Sequence, residues 1–480
     1  MRLHVIMRYI GMALLLNAVF MLISAAVSYF NGLDTGLYPL LLSFLLTATM
    51  GAFPMIFVSH ANDLRIKESY VIVVTSWIAS CLVGILPFVL WGGEFSLINS
   101  WFESVSGYTT TGSTILTNVE GLPKGMLFWR SCTHLVGGTG VVLFTLAVVP
   151  AMGRAKVSLT NVEFSTLTKD NYTYKVQKAL RILLVVYIFL ITSEIIALKL
   201  AGMDWFDSIN HSFSTIATGG FSTKNNSIAY FDNVWIEMVL TFFMVAAGIH
   251  FGLIFSTIQA KKNNIFSSEV SIYYFLTILV CTGLMTFNLW AENYYSFLES
   301  IRYSLFQAAS LISTTGFATV DTNSWPPFSI LILIFLSIQC ACAGSTGGGI
   351  KSDRVLILFK TLKVRFLQMQ HPNAIVRPKL NKTTISEELI STVLIFTILY
   401  IVLIFIGGLV LTLFDIDLLT AFSASYSCIS NVGPGFGDIS SMSNFSSFSD
   451  TAKFICTILM LLGRLELFGF IQIFLMKSWR

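Results

Sequence analysis

At four matched places, each behind an apolar segment, a serine is followed six positions on by a glycine: Ser106 and Gly112, Ser214 and Gly220, Ser310 and Gly316, Ser427 and Gly433. The three residues before each glycine are Thr109-Thr110-Thr111, Ala217-Thr218-Gly219, Ser313-Thr314-Thr315 and Ser430-Asn431-Val432, all uncharged and nearly all small or β-branched. A cation stripped of water needs oxygen ligands, and a loop that aims its backbone carbonyls at a common axis supplies them without a charged side chain. Glycine permits the backbone angles of such a loop and puts no Cβ into the lumen. No Asp or Glu lies in these loops, which argues against a divalent-cation filter. One such loop would be an ordinary turn. Four at matched positions predict four walls of one ion-conducting pore.

The elements that must position them are membrane helices. Hydrophobic residues make up 55% of the 480 residues and charged residues 11%, against about 25% charged in a soluble fold. Apolar runs of about 20 residues, enough to cross about 30 Å as helix, recur throughout. Two opening helices are expected over about 9–29 and 37–58; the first is longer than a signal peptide's apolar core and reads as a retained span. Four units follow. Their outer helices fall at about 70–91, 181–202, 270–291 and 388–414, and their closing helices at about 125–150, 233–259, 327–360 and 450–476. Between them, half-spans of about 97–109, 204–217, 300–313 and 417–430 are too short to cross and too apolar for a solvent loop, as re-entrant pore helices are. Each would aim the negative end of its dipole at a loop, which favours a cation. Successive loop glycines lie 108, 96 and 117 residues apart, repetition at the scale of whole units. The divisions are 1–68 for the opening pair and 69–155, 156–262, 263–375 and 376–480 for the four repeats. The fold class is therefore all-α integral membrane, with one pseudo-fourfold pore.

Charge sets the orientation. With both termini cytoplasmic, 22 of the 29 Lys and Arg fall on the inner face, and the opposite orientation inverts that bias. The glycine loops then open outward. Basic residues crowd 154–181 and 351–382, more than short connectors need, which suits anionic lipid or a docked cytoplasmic protein. The seven cysteines show no CxxC spacing and the six histidines no metal-ligand cluster; Cys340 and Cys342 are expected on different faces of a helix. Nothing points to nucleic acid.

The third closing helix carries Gly344-Ser345-Thr346-Gly347-Gly348-Gly349-Ile350-Lys351. Glycine costs about 1 kcal/mol per residue in a helix interior, so this segment should break the helix. Freed backbone at membrane depth is tolerated where protein or a wet cavity satisfies it. The glycine spacing resembles a phosphate-binding loop, but Ile350 separates Gly349 from Lys351 and no strand precedes it, so an integral-membrane enzyme ranks low. Arg464 lies within the fourth closing helix, where a charge should face a cavity or partner. A local pair with Glu466 is disfavoured, since residues two apart point to different sides. Glu103, Glu299 and Asp417, in or at the start of half-spans, either bias the outer vestibule toward cations or, for Glu103, bond loop amides behind the filter.

These loops, the two extra opening helices and the glycine segment together resemble the Trk/Ktr/HKT superfamily of potassium transporters, most closely its TrkH/TrkG branch, over residues 1–480. The resemblance implies a filter formed by Thr110-Thr111-Gly112, Thr218-Gly219-Gly220, Thr314-Thr315-Gly316 and Asn431-Val432-Gly433, the last departing most from the others. Glycine rather than serine at 112 implies K⁺ as the transported ion. It implies that Gly344 to Gly349 with Lys351 form an intramembrane gate and that Arg464 stands beside it, beneath the filter. It further implies a bacterial inner membrane, a homodimer, a TrkA-like cytoplasmic nucleotide-binding ring as partner, no organic cofactor and no enzyme activity. A channel-like subunit of an ATP-driven potassium pump shares the four-loop architecture and is the alternative.

Overall fold

Long apolar runs fold as helices because at membrane depth the backbone has no water to bond and must satisfy itself. In the computed structural model, which describes residues 2–59, 66–148, 176–260, 264–373 and 376–465, six helices are long and apolar enough to cross a bilayer. They are Leu3–Phe30, Leu37–Phe57, Val71–Trp91, Arg181–Leu200, Glu269–Ala291 and Glu387–Thr412. The first two are the opening pair; the other four are the outer helices of the repeats. The opening pair packs backbone to backbone. A Cβ on Gly11 would lie 2.7 Å from the Gly51 carbonyl oxygen, and one on Gly51 would lie 2.9 Å from that of Gly11. The first helix also reaches the pore: Tyr108, at the end of the first half-length helix, donates to Asn17 Oδ1 at 2.6 Å.

Half-length helices follow each outer helix: Leu97–Tyr108, Trp205–Ile216, Phe297–Ile312 and Leu418–Ser430. At 12, 12, 16 and 13 residues they rise only about 18–24 Å. Side-chain caps start all four, from Ser96, Asp204, Ser296 and Asp417. The third begins earlier than expected because Ser296 and Glu299 form a reciprocal capping box.

The inner helices differ among themselves. The first is continuous over Lys124–Val148, and the fourth runs Asp450–Arg464. The second, expected as one helix over about 233–259, is two: Val234–Ala247 and Phe251–Ile258 meet at 104°. The sequence Gly248-Ile249-His250 leaves the helix because the third repeat satisfies its freed backbone. The Gly248 carbonyl accepts from Cys342 N–H at 3.0 Å, and Phe251 N–H donates to Gly344 O at 3.2 Å. His250 Nδ1 caps the new start by accepting from Gly252 N–H at 2.9 Å. The third inner helix is broken as expected, into Pro327–Gln339 and Ser352–Gln370. Cys340 and Cys342 lie in that break rather than on a helix, Cys340 with φ 58. All seven cysteines are free and buried. A hairpin unforeseen from sequence pairs Lys379–Leu380 with Thr383–Thr384 around Asn381 and Lys382, whose φ of 45 and 68 fit a tight mirror-type turn. Among the described residues the architecture is all-α apart from this hairpin: two opening helices and four helix–pore loop–helix repeats around one pseudo-fourfold axis.

Candidate functional site

The four half-length helices end alike. The residue two before each glycine is left-handed, with φ 52 at Thr110, 56 at Thr218, 65 at Thr314 and 55 at Asn431. Its N–H donates three residues back, to Gly107, Thr215, Leu311 and Cys428 respectively, at 2.9–3.2 Å. The next N–H reaches the backbone carbonyl of the recurrent serine: Thr111 to Ser106, Gly219 to Ser214, Thr315 to Ser310 and Val432 to Ser427, at 2.8–3.0 Å. These paired bonds are a Schellman closure. The serine-to-glycine interval is thus a backbone interval, from the carbonyl that closes the helix to the first residue beyond the closure. Three left-handed threonines, each costing of order 1 kcal/mol, mark strain of the sort that functional sites hold in place.

Beyond the closure the loops meet. Gly112, Gly220, Gly316 and Gly433 have φ 81, 86, 78 and 102. A Cβ on Gly112 would collide with the carbonyl oxygen of Gly219, one on Gly220 with that of Thr315, one on Gly316 with that of Val432, and one on Gly433 with that of Thr111. Each contact runs to the next loop and the fourth returns to the first. The result is a closed ring in which every glycine faces the carbonyl just before its neighbour's glycine. The fourth loop, expected to depart most, has the same backbone, because asparagine accepts the left-handed angle that Thr110, Thr218 and Thr314 adopt. Outside the ring a vestibule is lined by all four glycines with Ser113, Phe221 and Pro434 among others.

The side chains that brace the ring repeat in loops one and three but differ in loops two and four. In loops one and three the recurrent serine hydroxyl donates to the carbonyl after the glycine, Ser106 to Ser113 at 2.6 Å and Ser310 to Phe317 at 2.7 Å. Hydroxyl pairs Thr109–Thr111 and Ser313–Thr315, both 2.8 Å, repeat there too. Loop two instead places Ser214 Oγ 3.0 Å from His134 Nδ1. In loop four Ser430 meets Tyr400 OH at 2.6 Å, and Asn431 Nδ2 donates to Thr111 Oγ1 and to Met460 O, both at 3.0 Å. Glu103 is buried behind loop one, where it accepts from Arg130 Nε at 2.8 Å and from Ile115 N–H at 3.1 Å. It is a brace, and Glu299 and Asp417 are helix caps. Arg130 also stacks over Phe221 at 4.1 Å and donates to Ser222 O at 3.3 Å, so it ties loop two to Glu103. A charge inside an apolar helix, as at Arg130, is the sequence signal for such a buried partner.

The break in the third inner helix, residues 340–351, lies under the ring. Gly348 N–H donates to Thr314 Oγ1 at 3.1 Å, and Thr346 Oγ1 donates to Ile216 O at 2.9 Å. A Cβ on Gly348 would collide with Ser430 O, so the segment touches the ends of pore helices two, three and four. Its own fold is held by Asp353, which accepts from Ala343 N–H at 3.0 Å, by Ser345 Oγ donating to Cys342 O at 2.6 Å, and by Lys351 Nζ donating to Gly347 O. An acid on one backbone N–H and a threonine on another make this no phosphate cradle. Arg464 donates to Thr346 O at 2.7 Å and to Gly137 O at 3.0 Å, linking the segment to the first inner helix. Glu466 lies outside the described residues. No group of three or more His, Cys, Asp or Glu suited to a metal occurs among the described residues.

A family model, TrkH, described as a cation transport protein, matches residues 40–479. The chain belongs to the TrkH family. The Trk system potassium uptake protein TrkH of Escherichia coli (strain K12) is 33% identical over 423 residues, 87% of each chain. TrkG of the same strain is 35% identical over 423 residues, 87% of this chain and 86% of its own. The crystal structure of the potassium transporter TrkH from Vibrio parahaemolyticus matches with a TM-score of 0.90 at 29% identity, covering 100% of both chains. As a TrkH-family member the chain is a multi-pass membrane transporter and not an enzyme.

Proposed function

We propose that this protein takes up K⁺ across a bacterial inner membrane, with both termini cytoplasmic. The ion sheds water in the vestibule and is held by backbone oxygens of Thr110-Thr111-Gly112, Thr218-Gly219-Gly220, Thr314-Thr315-Gly316 and Asn431-Val432-Gly433. The observation that carries this reading is the closed ring of four glycine-to-carbonyl contacts, each running from one loop to the next. Residues 344–349, with Lys351 and Arg464, are the gate. They lie across the inner mouth of the ring, and two cationic side chains pin them there. The repeats divide at 68, 155, 262 and 375, and the divisions at 155 and 375 fall inside the basic stretches 154–181 and 351–382. Those stretches dock a TrkA-like nucleotide-binding ring, and two copies of the chain form a homodimer with a pore in each. The names of the relatives above support K⁺ as the ion.

The test is Rb⁺ flux into K⁺-loaded liposomes holding the purified protein, wild type against Gly316→Ser and against deletion of residues 344–349. Flux that rises on deletion and loses K⁺ preference with Gly316→Ser supports filter and gate. No monovalent flux even from the deletion variant overturns the reading and favours an obligatory pump partner.

A further inference from the structure

Loop two is the only one of the four with glycine just before the filter glycine: position 219, against Thr111, Thr315 and Val432 elsewhere. Its backbone does not demand glycine, because Gly219 is absent from the positive-φ residues. What excludes a side chain is His134, on the first inner helix. A Cβ on Gly219 would run into the imidazole, overlapping its Nδ1, Cε1 and Cγ. The ring is fully buried. It exchanges a 3.0 Å hydrogen bond with Ser214 Oγ and stacks on Phe221 with centroids 4.2 Å apart and planes 18° from parallel. It therefore touches loop two on both sides of the filter glycine, at Ser214 and Gly219 before it and at Phe221 after it. Loops one and three brace the same stretch with hydroxyl pairs, Thr109–Thr111 and Ser313–Thr315, which Ala217 and Gly219 cannot form.

We propose that His134 is a specificity-determining positioning residue: its imidazole replaces the missing side chains of loop two and fixes the direction of the Gly219 carbonyl, one of the four in the ring. This rests on the filter reading given above. Two consecutive glycines without that wall have the widest backbone freedom of any loop in the ring. A carbonyl free to swing fits K⁺ and Na⁺ with less difference between them. Bulk flux depends on the open lumen and the gate, so discrimination is the quantity that His134 controls.

The experiment is a double-mutant cycle read as the K⁺ over Na⁺ ratio of competed Rb⁺ flux in proteoliposomes, with KM and maximal rate recorded separately. His134→Ala should lower the ratio by about tenfold, the scale of one buried hydrogen bond plus one ring stack, mainly through a raised KM. Gly219→Ala should be harmful with His134 present, where the new methyl strikes the ring, and should be tolerated or partly restorative beside His134→Ala. A cycle in which Gly219→Ala costs the same in both backgrounds overturns the proposal, as does a conducting His134→Ala with an unchanged ratio. If His134→Ala does not fold, Gly219→Ala alone must still shift the ratio, and an unshifted ratio there also overturns it. Absence of flux from the wild type and the gate deletion alike refutes the transport reading itself, a result distinct from normal flux with unaltered discrimination.

Discussion

Gly348 gives the proposed gate its most unusual expectation: adding a methyl group should open the pore. The backbone at 348 is not in the left-handed region, so alanine carries no intrinsic strain there. In the observed state its Cβ would overlap the carbonyl oxygen of Ser430 at the end of pore helix four. One side must give way. Ser430 is anchored by Tyr400 at 2.6 Å, and its neighbour Asn431 by Met460 O at 3.0 Å, whereas Gly348 is held through one 3.1 Å bond to Thr314 Oγ1. The loop is the softer partner. Overpacking by one methyl costs about 1–3 kcal/mol, which divides the closed population by roughly 5 to 150. Gly348→Ala should therefore raise Rb⁺ flux in proteoliposomes by about tenfold or more at unchanged K⁺ over Na⁺ ratio. Gly347→Ala is the control: its Cβ would sit 3.0–3.1 Å from Ala341 Cβ, Ser313 O and Thr314 Oγ1, tight contacts that a few tenths of an ångström relieve, for less than about threefold. Flux at or below wild type for Gly348→Ala, or a changed ratio, would refute the reasoning, the latter by showing that pore helix four yielded instead.

Arg464→Met removes the bonds to Thr346 O and Gly137 O; a charged hydrogen bond is worth about 1.5–3 kcal/mol, so flux should rise about tenfold in the same assay. Glu103→Gln leaves the buried Arg130 without its carboxylate and should destabilise the protein by about 3 kcal/mol, seen as a lower Tm in detergent. Tyr400→Phe strips Ser430 Oγ of its partner, a loss of about 1–2 kcal/mol that the same thermal measurement detects.

The pore loops were legible in the sequence because their spacing is set by the backbone. A Schellman closure fixes how far the serine carbonyl stands from the first unconstrained residue, and that distance survives even where Asn431 and Val432 replace threonines. The break at Gly344–Gly349 was legible for a similar reason: four glycines in six positions contradict a helix locally. The bend at Gly248–His250 was not. Two glycines four apart, Gly248 and Gly252, give little warning within an apolar run, and the groups that pull that backbone out of the helix belong to Cys342 and Gly344, about ninety positions away. His134 and Arg130 escaped notice likewise, since each acts on a loop contributed by another repeat. Loop two's double glycine is explained by the imidazole of His134 packed against Gly219.

The ring's cyclic contacts also bear on how such a protein is made. Its seam joins the first loop to the last: Ser113 Oγ donates to Gly433 O at 3.0 Å, and Phe445 N–H donates to Thr114 O at 2.8 Å, across more than three hundred positions of chain. A ribosome feeding the membrane from the N-terminus completes three walls well before the fourth exists. Until then the carbonyls along the open side lack the neighbour that encloses them, at a depth where exposed polar backbone is costly. Until the fourth loop arrives, the ring stands open on one side, and Ser113 Oγ and Thr114 O lack the partners that close the seam.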